Sequence, residues 1–217
     1  MSSDGQAGAP PSRRRGRPGH DLEAVLRAAV DVFNERGYDR ASMEDLSRRL
    51  GIAKSGVYHH VSGKEELLKM ALDRALDGLW EAAGQATTLD APAIDQLKAL
   101  VRGAVAVLAE RLPYVTLLLR VRGNTEVERA ALARRRAFDA PVGRLVADAE
   151  RDGDIRADID QKLTARLLFG MVNSIVEWYR PAASEQPATG RDPLADAVCA
   201  IAFDGLRVRR ESGHQAF

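Results

Sequence analysis

His59 and His60 are the side chains of this 217-residue chain best suited to metal or acid–base chemistry, and their spacing argues against a metal. Neighbours on a helix point about 100° apart, so the pair cannot close on one ion as an i, i+4 pair can. Cys199 is the single cysteine, which leaves no disulfide framework and no multi-thiol cluster within one chain. Its place beside an apolar stripe reads as packing. No HExxH, GxSxG, GxGxxG or P-loop pattern occurs, and the carboxylates scatter over polar helix faces. A different chemistry fits Lys54, Ser55, Gly56, Tyr58 and His59, a run of small and hydrogen-bonding side chains. No acidic residue lies between Asp45 and Glu65, whereas Arg48, Arg49, Lys54 and Lys64 do, and that local excess of cations suits a phosphate backbone.

The whole chain is nearly neutral, at +1, but its charge is uneven. Residues 1–64 carry 11 Lys/Arg against 8 Asp/Glu, leaving the remainder net acidic. Arg13, Arg14, Arg15 and Arg17 sit among Pro10, Pro11, Gly16, Pro18 and Gly19, a segment with nothing apolar to bury. It reads as a flexible basic arm over residues 1–20. The plainer alternative is a general bias to arginine, which supplies 27 of the 32 basic residues. No apolar stretch follows these charges, so they do not form a secretory signal. Arg102, Glu110 and Arg120 interrupt the longest membrane-span candidate. A soluble, cytoplasmic protein is expected.

The elements that must position these residues read as helices almost throughout, because Ala, Leu, Arg and Glu dominate and strand-like alternation is missing. Leu22, Val25, Leu26, Ala29 and Phe33 share one helix face, with Asp21 as N-cap and Gly37 just past the end. Ser42 stands three residues before Asp45, a capping-box spacing, and Met43, Leu46 and Leu50 give a short second helix ending at Gly51. A third short helix is expected from about Lys54 to Val61, with Val57 and Val61 inward. A fourth starts near Lys64, capped by Ser62 or Gly63, and runs through Leu68, Leu72, Leu76 and Leu79 to near Trp80. Five further helices are expected over 93–112, 113–119, 125–152, 160–179 and 194–210, with Pro141 kinking or interrupting the third of them. Leu163, Leu167, Leu168, Phe169, Met171, Val172, Ile175 and Val176 are apolar on nearly every face, more than one neighbour can bury. Paired with Leu194, Val198, Ile201 and Leu206 of the last helix, they predict a homodimer closed by a four-helix bundle. Ala182 to Arg191 reads as a surface loop.

Two short helices joined by a tight Gly-containing turn have the form of a helix-turn-helix, whose second helix enters the major groove of DNA. The run from Ser42 to Leu68, SMEDLSRRLGIAKSGVYHHVSGKEELL, resembles the DNA-binding domain of the tetracycline-repressor (TetR) family of bacterial regulators. The resemblance covers roughly residues 21 to 68. It implies an all-α chain with an N-terminal three-helix DNA-binding domain (21–66) and a helical ligand-binding and dimerisation domain (67–217). It puts Ser42 and Lys64 on phosphates, Lys54, Ser55, Gly56, Tyr58 and His59 on the recognition helix, and His60 in a partly buried place. Val61 departs from the Phe common in the family, and Ala53 stands where Ser is frequent.

The segment Met171 to Pro181 is similar to one in family members that respond to acyl-coenzyme A thioesters, including regulators of fatty-acid, steroid and phenylacetate breakdown. An acyl group needs apolar walls and the nucleotide phosphates need cations. Trp80, Phe138, Phe169 and Trp178 are the candidate walls, Arg120 and Arg122 the candidate cations, and Asn173 a polar contact. Arg134, Arg135 and Arg136 spread over about 200° of a helix and read as a solvated face, with an anion clamp as the minority reading. The expected function is a ligand-responsive repressor released from a palindromic operator, without catalytic residue, metal or cofactor. The competing readings are a helical enzyme acting on a CoA thioester, which turnover would reveal, and a non-sensing architectural DNA binder, which would show little preference among sequences.

Overall fold

The computed structural model describes residues 21–180 and 192–205, and within them every regular element is helical. The Asp21 carboxylate accepts from the Ala24 amide at 2.8 Å and starts α1 (Leu22–Arg36), which buries Val25, Leu26, Ala29, Val30 and Phe33 but leaves Leu22 exposed. α2 (Met43–Leu50) and α3 (Lys54–Tyr58) follow, and then α4 (Lys64–Thr87), 24 residues without a break. α4 crosses the expected division at residue 66 and continues past Trp80. Leu67 and Leu68 share one core with Val25, Phe33 and Val57, and further along α4 that core merges with residues of the C-terminal helices. Each such fully buried leucine contributes about 2 kcal/mol relative to an exposed one.

The remaining helices are α5 (Ala93–Glu110), α6 (Leu112–Arg120), α7 (Glu126–Ala137), α8 (Asp139–Arg151), α9 (Gln161–Trp178) and α10 (Pro193–Cys199), which ends in a π-helical turn over Ala200–Asp204. The expected helix 125–152 is interrupted, but at Phe138 and not at Pro141. A break there places Pro141 in the first turn of α8, where its missing N–H costs no hydrogen bond. A second core gathers Ala83 and Ala86 of α4, Leu97 and Leu100 of α5, Val142, Leu145 and Val146 of α8 and Leu168 of α9 around Phe138. The two faces of α9 differ: Leu168, Val172 and Ile175 are buried, whereas Leu163, Leu167 and Trp178 are exposed. No described helix is long and apolar enough to cross a membrane.

Candidate nucleic-acid interface and effector pocket

The turn between α2 and α3 is built by caps at both ends. At the start of α2 the Ser42 hydroxyl accepts from the Asp45 amide at 3.1 Å, and the Ser42 amide and hydroxyl both donate to the Asp45 carboxylate, at 3.0 and 2.7 Å. These donors and the Arg36 guanidinium, 2.6 Å away, hold the Asp45 carboxyl below the usual carboxylate range, the Ser42 side chain contributing most. At the end of α2, Gly51 takes the left-handed conformation at φ 66°, which favours glycine, and its amide bonds back to Arg48. The Ile52 amide then reaches the Ser47 carbonyl at 3.1 Å, closing the turn.

α3 is shorter than the segment 54–61 expected for it, although the amides of His59, His60 and Val61 still bond back to Ser55 and Val57. Val57 and Val61 are buried, as the spacing implied. Lys54, Ser55, Tyr58 and His59 share the exposed side, and His60 is half-buried with its ring edge-on to His59. A Cβ added at Gly56 would stand 3.3 Å from the Ile52 side chain, which would have to shift by a few tenths of an ångström to admit it. Tyr58 is 46% exposed, and its described partner is the Lys54 ammonium, 5.9 Å from the ring centre.

The cations around this surface are not all available. Arg48 is paired with Glu44 and Asp45, and Arg49 with Glu35. Lys64, expected on a phosphate, is turned inward instead. Its ammonium donates to the carbonyls of Tyr38, Asp39 and Ala41 at 3.1, 3.4 and 3.2 Å and lies 4.5 Å from the Tyr38 ring centre. Those carbonyls follow the end of α1; the Tyr38 carbonyl also accepts the Ala41 amide, whereas the ammonium is the described donor to the Asp39 and Ala41 carbonyls. Arg40, two residues before Ser42 and exposed, was not singled out by sequence reasoning, although its nearness to the start of α2 was a usable signal. Arg13, Arg14, Arg15 and Arg17 lie outside the described residues.

The expected effector residues separate into three places. Trp80, Phe138 and Phe169 come together edge to face, with ring centres 5.7 and 5.3 Å apart. Phe169 and Asn173 also line a cavity of about 40 Å³ with Ala75 and Leu79 of α4, Leu108 of α5 and Arg135 of α7. Arg120 and Arg122 do not belong there. The end of α6 and the loop after it carry them to the end of α1, where an Arg120 N–H donates to the Asn34 carbonyl at 3.1 Å, and both line a separate cleft. Trp178, at 59% exposed, lies on the outer face of α9. The arginine run is not a solvated face: Arg134 is bound to Asp73 and Asp77 of α4 at 2.7 Å each, Arg135 lines the cavity, and only Arg136 is exposed. Cys199 is buried, with its thiol pushed up by burial, as befits a packing residue. Among the described residues no group of His, Cys, Asp and Glu could hold a metal.

A capped helix-turn-helix joined by one long helix to an all-helical body with its own cavity defines a DNA-binding regulator. Residues 25–71 match the family described as bacterial regulatory proteins, tetR family, and residues 90–206 match the tetracyclin repressor-like C-terminal domain. The chain belongs to the TetR family of transcriptional regulators, whose members bind operators, act as dimers and bind small-molecule effectors. Among similar structures is SCO3833 of Streptomyces coelicolor A3, a member of the same family, 52% identical over 85% of this chain and 91% of its own, with a TM-score of 0.77. The repressor KstR2 of Rhodococcus jostii is 29% identical over 88% of this chain and 93% of its own. AibR, solved with isovaleryl coenzyme A and operator DNA, has the same fold at 24% identity, with a TM-score of 0.68 over 84% of this chain and 97% of its own. These relatives are regulators of transcription, and the chain is a regulator and not an enzyme.

Proposed function

We propose that the chain is a homodimeric repressor whose paired α3 helices read a palindromic operator and are released from it by a small molecule carrying an apolar acyl group, an acyl-coenzyme A thioester being the favoured class. The observation that carries this reading is the continuity of α4. It begins at Lys64 beside the α2–α3 unit, and the same helix supplies Ala75 and Leu79 to the wall of the effector cavity. On the DNA side, Lys54, Ser55, Tyr58 and His59 meet bases and phosphates, Ser42 meets a phosphate at the start of α2, and residues 1–20 add the basic arm. The N-terminal unit, 21–66, is the reading head, and 67–217 senses and dimerises. On the dimer side, the outer faces of α9 and α10 pair about a two-fold axis, covering Leu163, Leu167, Trp178 and Ile201.

The cavity supports the effector class by its chemistry. Its lining is apolar apart from Arg135 and Asn173, which suits an acyl chain with one polar end. At about 40 Å³ it has room for a few waters and not for an acyl chain, so occupancy forces α4, α5, α6 or α9 apart. Binding and movement of α4 are then one event. A coupling of about 1–3 kcal/mol between the two sites corresponds to roughly 5- to 150-fold in operator affinity. The isovaleryl coenzyme A bound by AibR supports a thioester as the first effector to test.

The test selects an operator from random duplexes, then titrates isovaleryl and longer acyl-coenzyme A thioesters against the complex while following thermal stability of the protein alone. A saturable shift accompanied by DNA release is the expected outcome. Selective DNA binding with no shift for any thioester removes the acyl-CoA assignment, and failure to prefer any duplex removes the repressor.

A further inference from the structure

The cleft that holds Arg120 and Arg122 is a second candidate site, apart from the effector cavity. It lies on the seam between the reading unit and the C-terminal body, with Phe33 to Arg40 on one side and residues of α6 and the α6–α7 loop on the other, and encloses about 360 Å³. That volume is within the range of small-molecule sites. Four arginines line it, Arg36, Arg40, Arg120 and Arg122, against two acids, Asp39 and Glu128. The acids are already engaged. The Glu128 carboxylate is buried and accepts the amides of Arg122, Gly123 and Asn124 at 3.3, 2.8 and 2.8 Å, and Asp39 accepts from the Asn124 side chain at 3.3 Å. On the cationic side, Arg36 is paired with Asp45 and Arg120 with a carbonyl, while among the described residues the guanidinium groups of Arg40 and Arg122 have no partner. One more observation points to a ligand. Asn34 lines the cleft, its Oδ1 is buried without a donor, and its amide nitrogen is fixed on the Pro113 carbonyl at 2.8 Å, so turning the side chain over would only set oxygen against oxygen.

We propose that this seam binds a small hydroxylated oxyanion, a hydroxycarboxylate or a phosphate ester. Arg40 and Arg122 take its charged end, and a hydroxyl entering between α1 and α6 donates to Asn34. Because the two arginines stand on opposite sides of the seam, the ligand bridges reading unit and body and favours one orientation of α1 to α3 over others. The site is a second input to operator affinity, separate from the cavity lined by Phe169 and Asn173.

The experiment is titration calorimetry of the dimer without DNA or thioester, using citrate and glycerol 3-phosphate as probes. Saturable binding of at least one probe is expected, weakened about tenfold or more in Arg40→Gln/Arg122→Gln, because charge-assisted hydrogen bonds are lost. Arg156→Gln, exposed and outside the cleft's lining, should leave binding unchanged. Tricarballylate, which is citrate without its hydroxyl, should bind about fivefold more weakly, the worth of one net hydrogen bond. Equal binding of those two removes Asn34 from the site. No saturable heat with either probe at millimolar concentration, or heat that the double variant keeps in full, overturns the proposal. Loss of operator affinity in the double variant without any anion binding assigns the arginines to DNA phosphates and also overturns it. Free coenzyme A separates two sources of the same chemistry: displacement of the probe means that an effector's own phosphates fill the cleft, and simultaneous binding means a separate metabolite, either result keeping the site.

Discussion

Tyr58 and Trp178 are both aromatic side chains left about half uncovered, at 46% and 59%, yet their surroundings have opposite chemistry. Around Tyr58 stand Lys54 and Ser55 on a helix of five residues and His59 just past its end, too small a surface to dock a protein and too polar to gain from burial against one. Around Trp178 runs a stripe at helical spacing, Leu163, Leu167, Gly170 and Ser174, along 18 residues of α9. On the proposed function, equal exposure marks different partners. Polar surroundings leave an aromatic ring for a polar, charged surface such as a nucleic acid, and apolar surroundings leave it for a matching apolar face, which in a homodimer is its own copy.

The comparison breaks most sharply at Leu167, which is 60% exposed at the middle of the stripe. Leu167→Glu puts two charges into a two-fold interface at once, and a cost of about 2 kcal/mol per copy weakens dimerisation roughly 10³-fold. Sedimentation should show monomers at micromolar concentration, with operator binding lost alongside; a stable dimer would move the interface elsewhere. Tyr58→Ala acts on the other surface alone. Operator affinity should fall about 100-fold, one contact being lost in each half-site at about 1–3 kcal/mol, while sedimentation stays dimeric. Undiminished binding in fluorescence anisotropy would displace α3 as the reading helix.

Lys64→Met asks whether the inward-turned ammonium at the start of α4 serves structure. With the Asp39 and Ala41 carbonyls deprived of their described donor, the reading unit should lose about 2 kcal/mol of stability in urea titration. Unchanged stability with weakened DNA binding would return Lys64 to the phosphates. The smallest effect concerns Asp45. Its carboxyl is held below the ordinary value, so its contribution to stability is complete above the unfolded carboxylate range near pH 4 and is lost as pH falls through the lower folded value. Asp45→Asn should lower the urea midpoint at pH 7 and narrow its difference from wild type at pH 2–3. A constant difference across that window would mean that the carboxylate charge is irrelevant to the cap.

What could be read in the sequence was local. Asp21, Ser42 with Asp45, and Gly51 announce helix ends through their own hydrogen bonds and dihedral freedom, and each is found in that role. Val57 and Val61 were legible because a short helix has one inner face. The break at Phe138 instead of Pro141 was less so, because a proline fixes only where a helix cannot continue unbonded, and the buried ring between Trp80 and Phe169 decides the residue at which the chain turns. Lys64 and Arg120 escaped for a third reason. Their partners, the carbonyls of 38–41 and Asn34, are distant in sequence, and residue type alone does not say which anion or dipole a cation meets.

The unbroken course of α4 has a consequence in simple leverage. At 1.5 Å per residue its 24 residues span about 36 Å, comparable to one turn of B-DNA. With its far end held where Ala83 and Ala86 pack against Leu97, Leu100 and Leu145, a tilt of about 5° carries the near end through about 3 Å, roughly one base-pair step. In a two-fold dimer the displacement counts twice, so a rotation small enough to leave every helix intact would put the two reading heads nearly two base pairs out of register.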